Sequence, residues 1–365
     1  MPTSSVKSNT AVNQNANRQE AKIHTDPLKT KDLSSSTFPH MRMRRLRRND
    51  AMRSMVQENH VRIEDLIHPI FVEEDTKERS AIEKMPGVYR ESEDSLQDLI
   101  KENDNLGLKA AILFGVSHNK DSIGLDSLNP NGLMSRMIDR AKQAAPEMLI
   151  IADTCFCEYT DHGHCGVLDH THDVDNDKTL ENLGMQAVVA AEAGADIIAP
   201  SAMMDGQVLA IRHALDTTGF PHIPILSYAS KFASVFYGPF RDAAGCSLEK
   251  SDIGKGDRKT YQMNPANGRE AIREALQDIE EGADMLMVKP GLPYLDILMQ
   301  LRQKTDVPLA AYQVSGEYAM IQHAAKAGAI DGEAVFMESL MAFKRAGADM
   351  ILTYGAPQAA KILQS

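Results

Sequence analysis

Three of the chain's four cysteines, Cys155, Cys157 and Cys165, fall within eleven residues, in the stretch Asp153-Thr-Cys-Phe-Cys-Glu-Tyr-Thr-Asp-His-Gly-His-Cys-Gly166. The N-terminus has no apolar core of a secretory signal, so the thiols are expected to stay reduced, and a reduced cluster points to metal binding or catalysis rather than to disulfides. The Cys-x-Cys spacing is not the Cys-x2-Cys knuckle of structural zinc sites, and three thiolates leave one tetrahedral position open for water or substrate. The competing explanation is packing of free thiols as small apolar groups. Glu158, Asp161, His162 and His164, with Gly163 and Gly166, instead mark a polar loop. Zinc on Cys155, Cys157 and Cys165 is therefore expected, with His162 and His164 as supporting groups or alternative ligands and Cys246 unrelated.

Two lysines offer a second kind of chemistry. Lys289 closes the apolar run Met285-Leu-Met-Val288 and precedes Pro290, and Lys231 ends Ser227-Tyr-Ala-Ser-Lys231. Desolvation favours a neutral amine, and a neutral amine attacks carbonyls to form a Schiff base. A lysine capping a strand in solvent is the plainer alternative. If the two lie on adjacent strands, each ammonium should depress the other's pKa. Between Phe232 and Gln262, a segment rich in Gly, Ser, Lys and Asp reads as a lid. Arg241 and Arg258 flank its mobile part, and their planar donors suit a substrate carboxylate.

Elements must bring these groups together. Gly-Ala-Asp occurs at 194–196, 282–284 and 347–349, each time after a helical pattern and before an apolar run. Before the second copy, Ala271, Ile272, Ala275, Leu276 and Ile279 keep one apolar face, and Gly282 is a natural helix stop. Short apolar runs of the kind that form strands covered on both faces lie at 68–72, 111–114, 149–152, 197–199, 223–226, 285–288, 309–312 and 350–353. Helix-length stretches separate them, which predicts a parallel (β/α)8 TIM barrel over roughly residues 61–365. An open doubly wound sheet is the runner-up, but no Gly-x-Gly-x-x-Gly or Walker-type loop supports a nucleotide site. Barrel active sites use strand C-termini. The third run leads into Asp153, Cys155 and Cys157, the fourth into Ser201, the fifth into Lys231, the sixth into Lys289, the seventh into Ser315 and Glu317, and the eighth into Tyr354.

Composition sets the outer bounds. Hydrophobic residues make up 43% and charged residues 25% of 365 residues, ordinary globular usage with material for a sizeable core. The net charge of −12 argues against a generic nucleic-acid or anionic-membrane surface. Small-molecule chemistry and a cytoplasmic location are expected. Residues 1–38 read as a disordered leader, and Glu20, Asp26 and Asp32 do not suit a transit peptide. Residues 39–60, with the basic run Arg42-Met-Arg-Arg-Leu-Arg-Arg48, read as an extended N-terminal arm for subunit contacts.

Taken together, the motifs resemble the porphobilinogen synthase (5-aminolevulinate dehydratase) family of the zinc-dependent bacterial type. The resemblance rests on the cysteine stretch, Ala199-Pro-Ser-Ala-Met-Met-Asp-Gly206, Lys231-Phe-Ala-Ser, Phe236-Tyr-Gly-Pro-Phe-Arg-Asp242, Gly256-Asp-Arg-Lys-Thr-Tyr-Gln262, Met287-Val-Lys-Pro-Gly291 and Tyr312-Gln-Val-Ser-Gly-Glu-Tyr318. It implies the condensation of two 5-aminolevulinate molecules into porphobilinogen, with Lys289 and Lys231 each holding one substrate as a Schiff base. It also implies zinc on the three cysteines, polarising or orienting the second substrate. Arg241, Arg258 and Gln262 would bind that substrate's carboxylate, and Ser315 and Tyr354 the first's, while Asp153, Ser201, Tyr237 and Phe240 would line the pocket. Glu274 matches a glutamate that binds an allosteric magnesium in some members, and the family is typically a homo-octamer whose arm wraps a neighbour. Residues 249–254 look like a lengthened part of the lid.

Two other functions compete. A class I aldolase on the same barrel would use Lys289 alone and survive chelation. A non-enzymatic, zinc-stabilised binding module would unfold on metal removal, although the lack of a fourth nearby cysteine counts against a closed structural site.

Overall fold

The computed structural model describes residues 41–248 and 256–365; the expected leader 1–38 and the lengthened segment 249–254 lie outside them. The chain divides between Glu58 and Asn59. In the first unit a 3-10 turn, Met43–Arg47, precedes helix α1, Asp50–Met55, whose N-terminus is capped by the Asn49 side chain accepting from the Met52 amide at 2.9 Å. None of the residues in these two elements is buried.

The second unit is a parallel barrel. Its strands are β1 (Leu66–Glu73), β4 (Ala110–Val116), β5 (Leu149–Thr154), β6 (Ile197–Pro200), β7 (Leu226–Lys231), β8 (Met285–Lys289), β9 (Leu309–Gln313) and β10 (Met350–Thr353). A small hairpin of β2 (Ser80–Ala81) and β3 (Tyr89–Glu91) sits after β1. The barrel strands pair in the order β6-β5-β4-β1-β10-β9-β8-β7, and the ring closes between β6 and β7 through one isolated parallel bridge, Ile198 to Ile225. An open doubly wound sheet is thereby excluded.

Each barrel strand is followed by an outer helix: α2 (Glu93–Asn105), α3 (Leu133–Ala144), α4 (Asn176–Glu192), α5 (Gln207–Thr217), α7 (Gly268–Glu281), α8 (Leu295–Arg302), α10 (Gly332–Ala346) and α11 (Ala356–Gln364). Two further helices, α6 (Gly238–Ala243) and α9 (Ser315–Lys326), are inserted after β7 and β9. All seven residues of β4 are buried, because the helices cover one sheet face and the barrel interior the other.

The Gly-Ala-Asp repeat has a physical reason. Gly282 and Gly347 end their helices at φ +108, where a side chain would be strained. The aspartate that follows reaches the start of the preceding strand: Asp196, Asp284 and Asp349 each accept an amide, from Ile150, Ile225 and Leu309, at 2.8 Å. Their own amides return hydrogen bonds to the carbonyls of the same three residues at 2.9, 3.1 and 2.8 Å. One tripeptide thus stops a helix and sets the strand register.

The fifth strand departs from expectation. It runs over Leu226–Lys231 rather than 223–226. Ser227, Ser230 and Lys231 are buried in it with partners of their own, for example Ser227 Oγ donating to Asp278 at 2.6 Å and Ser230 Oγ to the Ala271 carbonyl at 3.1 Å. A strand whose polar groups are satisfied internally has no continuous apolar run to betray it.

Candidate active site

β7 and β8 both end in lysine, and their register makes Lys231 and Lys289 direct partners. A register shift between Ser227 and Ser230 precedes this pair, the kind of irregularity that re-aims side chains near functional sites. Both lysines are buried, at 7% and 5% exposure. The Lys289 amine lies among aromatic rings, 4.3 Å from the centroid of Tyr312, 4.8 Å from Tyr228, 5.1 Å from Phe240, 5.6 Å from Tyr237 and 5.9 Å from Phe114. Ring faces favour a cation, but desolvation is the larger effect: burial, followed by the charge of Lys231, pulls Lys289 down to about 7.

Lys231 behaves differently from the expected mutual depression. Burial opposes its charge, yet Cys165, Cys155 and Asp153 outweigh burial and raise its pKa. Its amine donates to the Ser201 carbonyl at 2.5 Å. Ser201 Oγ donates to Asp153 Oδ2 at 3.1 Å, and burial pushes the Asp153 carboxyl up while the two lysines pull it down. Asp153 Oδ1 and the Tyr228 hydroxyl, buried near one another, have no geometrically formed hydrogen bond among the described residues.

The sulfur atoms of Cys155, Cys157 and Cys165 all lie within 4.8 Å of one another, the one such group of potential metal ligands among the described residues. Cys155 and Cys157 are 3.5 Å apart. Burial holds the Cys155 thiol up, whereas hydrogen bonds from Cys155 and then Cys157 pull Cys165 well below the ordinary range. Three soft donors clustered in this way fit a thiophilic divalent ion such as zinc. The histidines face elsewhere: a ring nitrogen of His162 meets the Ser122 carbonyl at 3.2 Å, and His164 Nδ1 meets the Tyr261 hydroxyl at 3.0 Å.

Amines and thiols share one cavity, lined also by Ser201, Tyr237, Phe240, Arg241, Arg258 and Gln262. Buried Nε atoms of Arg241 and Arg258 and Oε1 of Gln262 lack partners among the described residues, as groups awaiting a ligand would. Arg258 also donates to the Gly163 and Cys246 carbonyls at 2.7 and 2.8 Å. On the Lys289 side, Tyr237 donates to the Lys289 carbonyl at 3.0 Å, and Ser315 Oγ accepts from the Phe240 amide at 3.0 Å. The Tyr354 ring stacks on Phe71 at 5.8 Å, and its hydroxyl is 3.2 Å from that of Tyr312. A larger cleft of about 480 Å3, lined by residues including His68, Arg79, Tyr89 and Gln322, contains neither amine nor thiol.

The placement of Cys246 and Glu158, and the role of Glu317 at the end of the seventh run, are not legible in the sequence. Cys246 is not unrelated to the cluster: it is buried and lines the same cavity as Cys157 and Cys165. Glu158, buried 3.2 Å from the Cys157 sulfur, is pushed up to about 8 by burial and Asp153. Glu317 accepts the amides of Leu292, Val314 and Gly291 at 2.6, 2.7 and 3.3 Å, tying the turn after Lys289 to the end of β9. Next to it, Gly316 is required by close approach, since a Cβ there would lie 2.5 Å from the Phe236 carbonyl oxygen. Glu274 is remote from this constellation in chemistry: it is half-buried on α7 and lines a separate cavity with Asp205 and Glu270.

Fold and site together define a (β/α)8-barrel enzyme with two buried strand-end amines beside a cluster of three thiols. The chain belongs to the delta-aminolevulinic acid dehydratase family, whose signature matches residues 40–362. The delta-aminolevulinic acid dehydratase of Escherichia coli strain K12 is 58% identical over 315 residues, covering 86% of this chain and 95% of that protein. That of Staphylococcus aureus strain Mu50 is 53% identical over 323 residues, covering 88% and 98%. A crystal structure of delta-aminolevulinic acid dehydratase (porphobilinogen synthase) from Toxoplasma gondii ME49, in complex with the reaction product porphobilinogen, superposes with a TM-score of 0.85 at 47% identity, covering 88% of this chain and 91% of that one.

Proposed function

We propose that the chain condenses two molecules of 5-aminolevulinate into porphobilinogen, using both strand-end lysines. The observation that carries this reading is the register pairing of Lys231 with Lys289 in one cavity with unlike surroundings. The neutral Lys289 amine attacks the keto carbon of one substrate, water leaves, and the imine links substrate to Nζ. Loss of a proton next to the imine carbon gives an enamine, the nucleophile for the new carbon–carbon bond. Lys231 holds the second substrate the same way, after passing a proton to a neighbouring base. Asp153, held by Ser201 on one oxygen and within the electrostatic reach of both amines, would take up and return protons between them.

Arg241 and Arg258, whose Nε donors lack partners among the described residues, take the second substrate's carboxylate, and Gln262 joins them by donating its side-chain amide N–H. Ser315 and Tyr354 take the first's, and Tyr237 and Phe240 wall the Lys289 side against water. Cys155, Cys157 and Cys165 hold zinc, which when bound acts as a Lewis acid toward the second substrate. The decisive assay is pyrrole formation from 5-aminolevulinate, repeated after chelation and with Lys289→Ala. Pyrrole made at undiminished rate by Lys289→Ala sinks the Schiff-base role, and full activity after complete metal removal sinks the zinc role.

The same reading makes the enzyme a cytoplasmic homo-octamer with residues 39–60 as contact arm; sedimentation of the full chain and of a form lacking residues 1–58 tests the assembly. No helix among the described residues is long and apolar enough to cross a membrane. Magnesium at Glu274 is supported by the carboxylates around it, since burial, then Asp205 and Glu270, raise its pKa. Equilibrium dialysis of magnesium against Glu274→Ala checks it, with equal binding counting against the site.

A further inference from the structure

Cys246 lies in the turn after α6, distant in sequence from the other three cysteines, yet its side chain is only 1% exposed and lines the same cavity as Cys157 and Cys165. Backbone contacts fix that placement. The Cys246 amide donates to the Arg241 carbonyl at 3.1 Å, and its carbonyl accepts from Arg258 at 2.8 Å. The same Arg258 nitrogen reaches the Gly163 carbonyl at 2.7 Å, in the loop between Cys157 and Cys165. Gly163 has φ +71, and a Cβ on it would lie 3.4 Å from the Cys246 carbonyl oxygen. One guanidinium therefore clasps the Cys246 turn to the loop between Cys157 and Cys165.

We propose that Cys246 is a displaceable fourth thiolate: with metal on Cys155, Cys157 and Cys165 and no substrate present, its sulfur completes a four-sulfur shell that an incoming substrate must break. This rests on the zinc reading above. Zinc–sulfur bonds of about 2.3 Å in a tetrahedron place sulfurs about 3.8 Å apart. The three-thiol cluster is already near that size; Cys246 lines the same cavity as Cys157 and Cys165 but lies outside that group, so its side chain must swing inward to complete the shell.

Space supports the same conclusion. The cavity leaves 20 Å3 for water centres, about the room of one water molecule, so a five-carbon keto acid enters only if a lining group moves. Arg258 connects the two events, because the guanidinium that holds the Cys246 carbonyl is also a carboxylate-binding candidate. The exchange is redox-neutral: one sulfur donor is replaced by a donor atom of the substrate, and the released sulfur takes up a proton from solvent.

Zinc K-edge X-ray absorption on the full-length, zinc-loaded protein tests this. The expected result is four sulfur neighbours without 5-aminolevulinate, three with it, and three in both states for Cys246→Ser. Chelator competition should show zinc held roughly tenfold or more weakly by Cys246→Ser, with Cys246→Ala as a second variant and circular dichroism confirming that both are folded. Three sulfurs in the substrate-free wild type, or one sulfur count for wild type and both variants, overturns the proposal. If Cys155→Ser still loses a sulfur in that case, the zinc site stands without Cys246. If no sulfur surrounds the metal in any form, both readings fail.

Discussion

Lys231 and Lys289 are register partners on adjacent parallel strands, β7 and β8, yet their surroundings drive them apart. Burial, followed by the charge of Lys231, pulls Lys289 down to about 7, while thiols and Asp153 outweigh burial and raise the pKa of Lys231. Two equivalent backbone positions thus present unequal amines to two identical substrates. In the proposed reaction Lys289, which gives up its proton more readily, would be the first of the two to act as a nucleophile.

The sign of the pH effect follows. Lys289 is nucleophilic above its pKa, so borohydride trapping of 5-aminolevulinate on the Lys289 peptide should rise as pH increases through about 7. Removing the neighbouring charge with Lys231→Met should move that midpoint to higher pH, and Lys289→Arg should trap nothing because a guanidinium stays protonated. Mass spectrometry of the trapped peptide reads all three, and an unmoved midpoint in Lys231→Met would refute the like-charge coupling.

Arg258→Ala should lower kcat/KM by roughly 10–100-fold, the loss of about 1.5–3 kcal/mol for a charge-assisted hydrogen bond. Arg258→Lys should recover little of this, since a point charge cannot replace a planar fork. Steady-state kinetics decide, and full rescue by lysine would mean that only charge is used.

Single serine replacements at Cys155, Cys157 and Cys165 should each weaken zinc binding and cut pyrrole formation, with wild-type activity lost to a chelator and restored by added zinc. Isothermal titration with zinc, beside a thermal melt, separates metal loss from unfolding. Retention of wild-type affinity in any of the three would remove that cysteine from the ligand set.

Asp278 controls stability rather than chemistry. Burial raises its carboxyl to about 7 against the Ser227 hydroxyl. A folded pKa above the unfolded value means its contribution is full below about pH 4 and is lost as pH rises through about 7. Asp278→Asn should therefore be more stable than wild type at pH 8, by up to about 4 kcal/mol, and should keep less than half of that advantage at pH 5. Urea denaturation at both pH values measures it; equal stabilities at pH 8 would show that the carboxyl ionises freely in the fold.

Gly316→Ala should push the Phe236 backbone, and with it Tyr237 and Phe240, away from Lys289. Overpacking of this kind costs about 1–3 kcal/mol. Activity should fall more than stability does, read by kcat/KM against melting temperature, and unchanged kinetics would show that the segment yields without moving the rings.

Much of this architecture is legible in linear order. Seven of the barrel strands announce themselves as short apolar runs because both faces of a parallel sheet are buried, and strand C-termini then point to Asp153, Ser201, Lys231 and Lys289. β7 hides, since Ser227, Ser230 and Lys231 satisfy their polarity inside the fold. Cys246 hides for a different reason: its approach to Cys157 depends on how a turn is clasped by Arg258, and no spacing rule encodes that. The split between the two lysines is equally invisible, because it arises from which side chains converge on each amine.

The single bridge that closes the ring between β6 and β7 gives the barrel a seam. Lys231, at the end of β7, stitches that seam by donating to the carbonyl of Ser201 just past β6. Converting its ammonium to an imine removes donors from the stitch, so the amine that would tether substrate is also a fastener of the wall. Amide exchange along β6 should quicken during turnover relative to β1 and β4, making the barrel itself a reporter of when Lys231 is occupied.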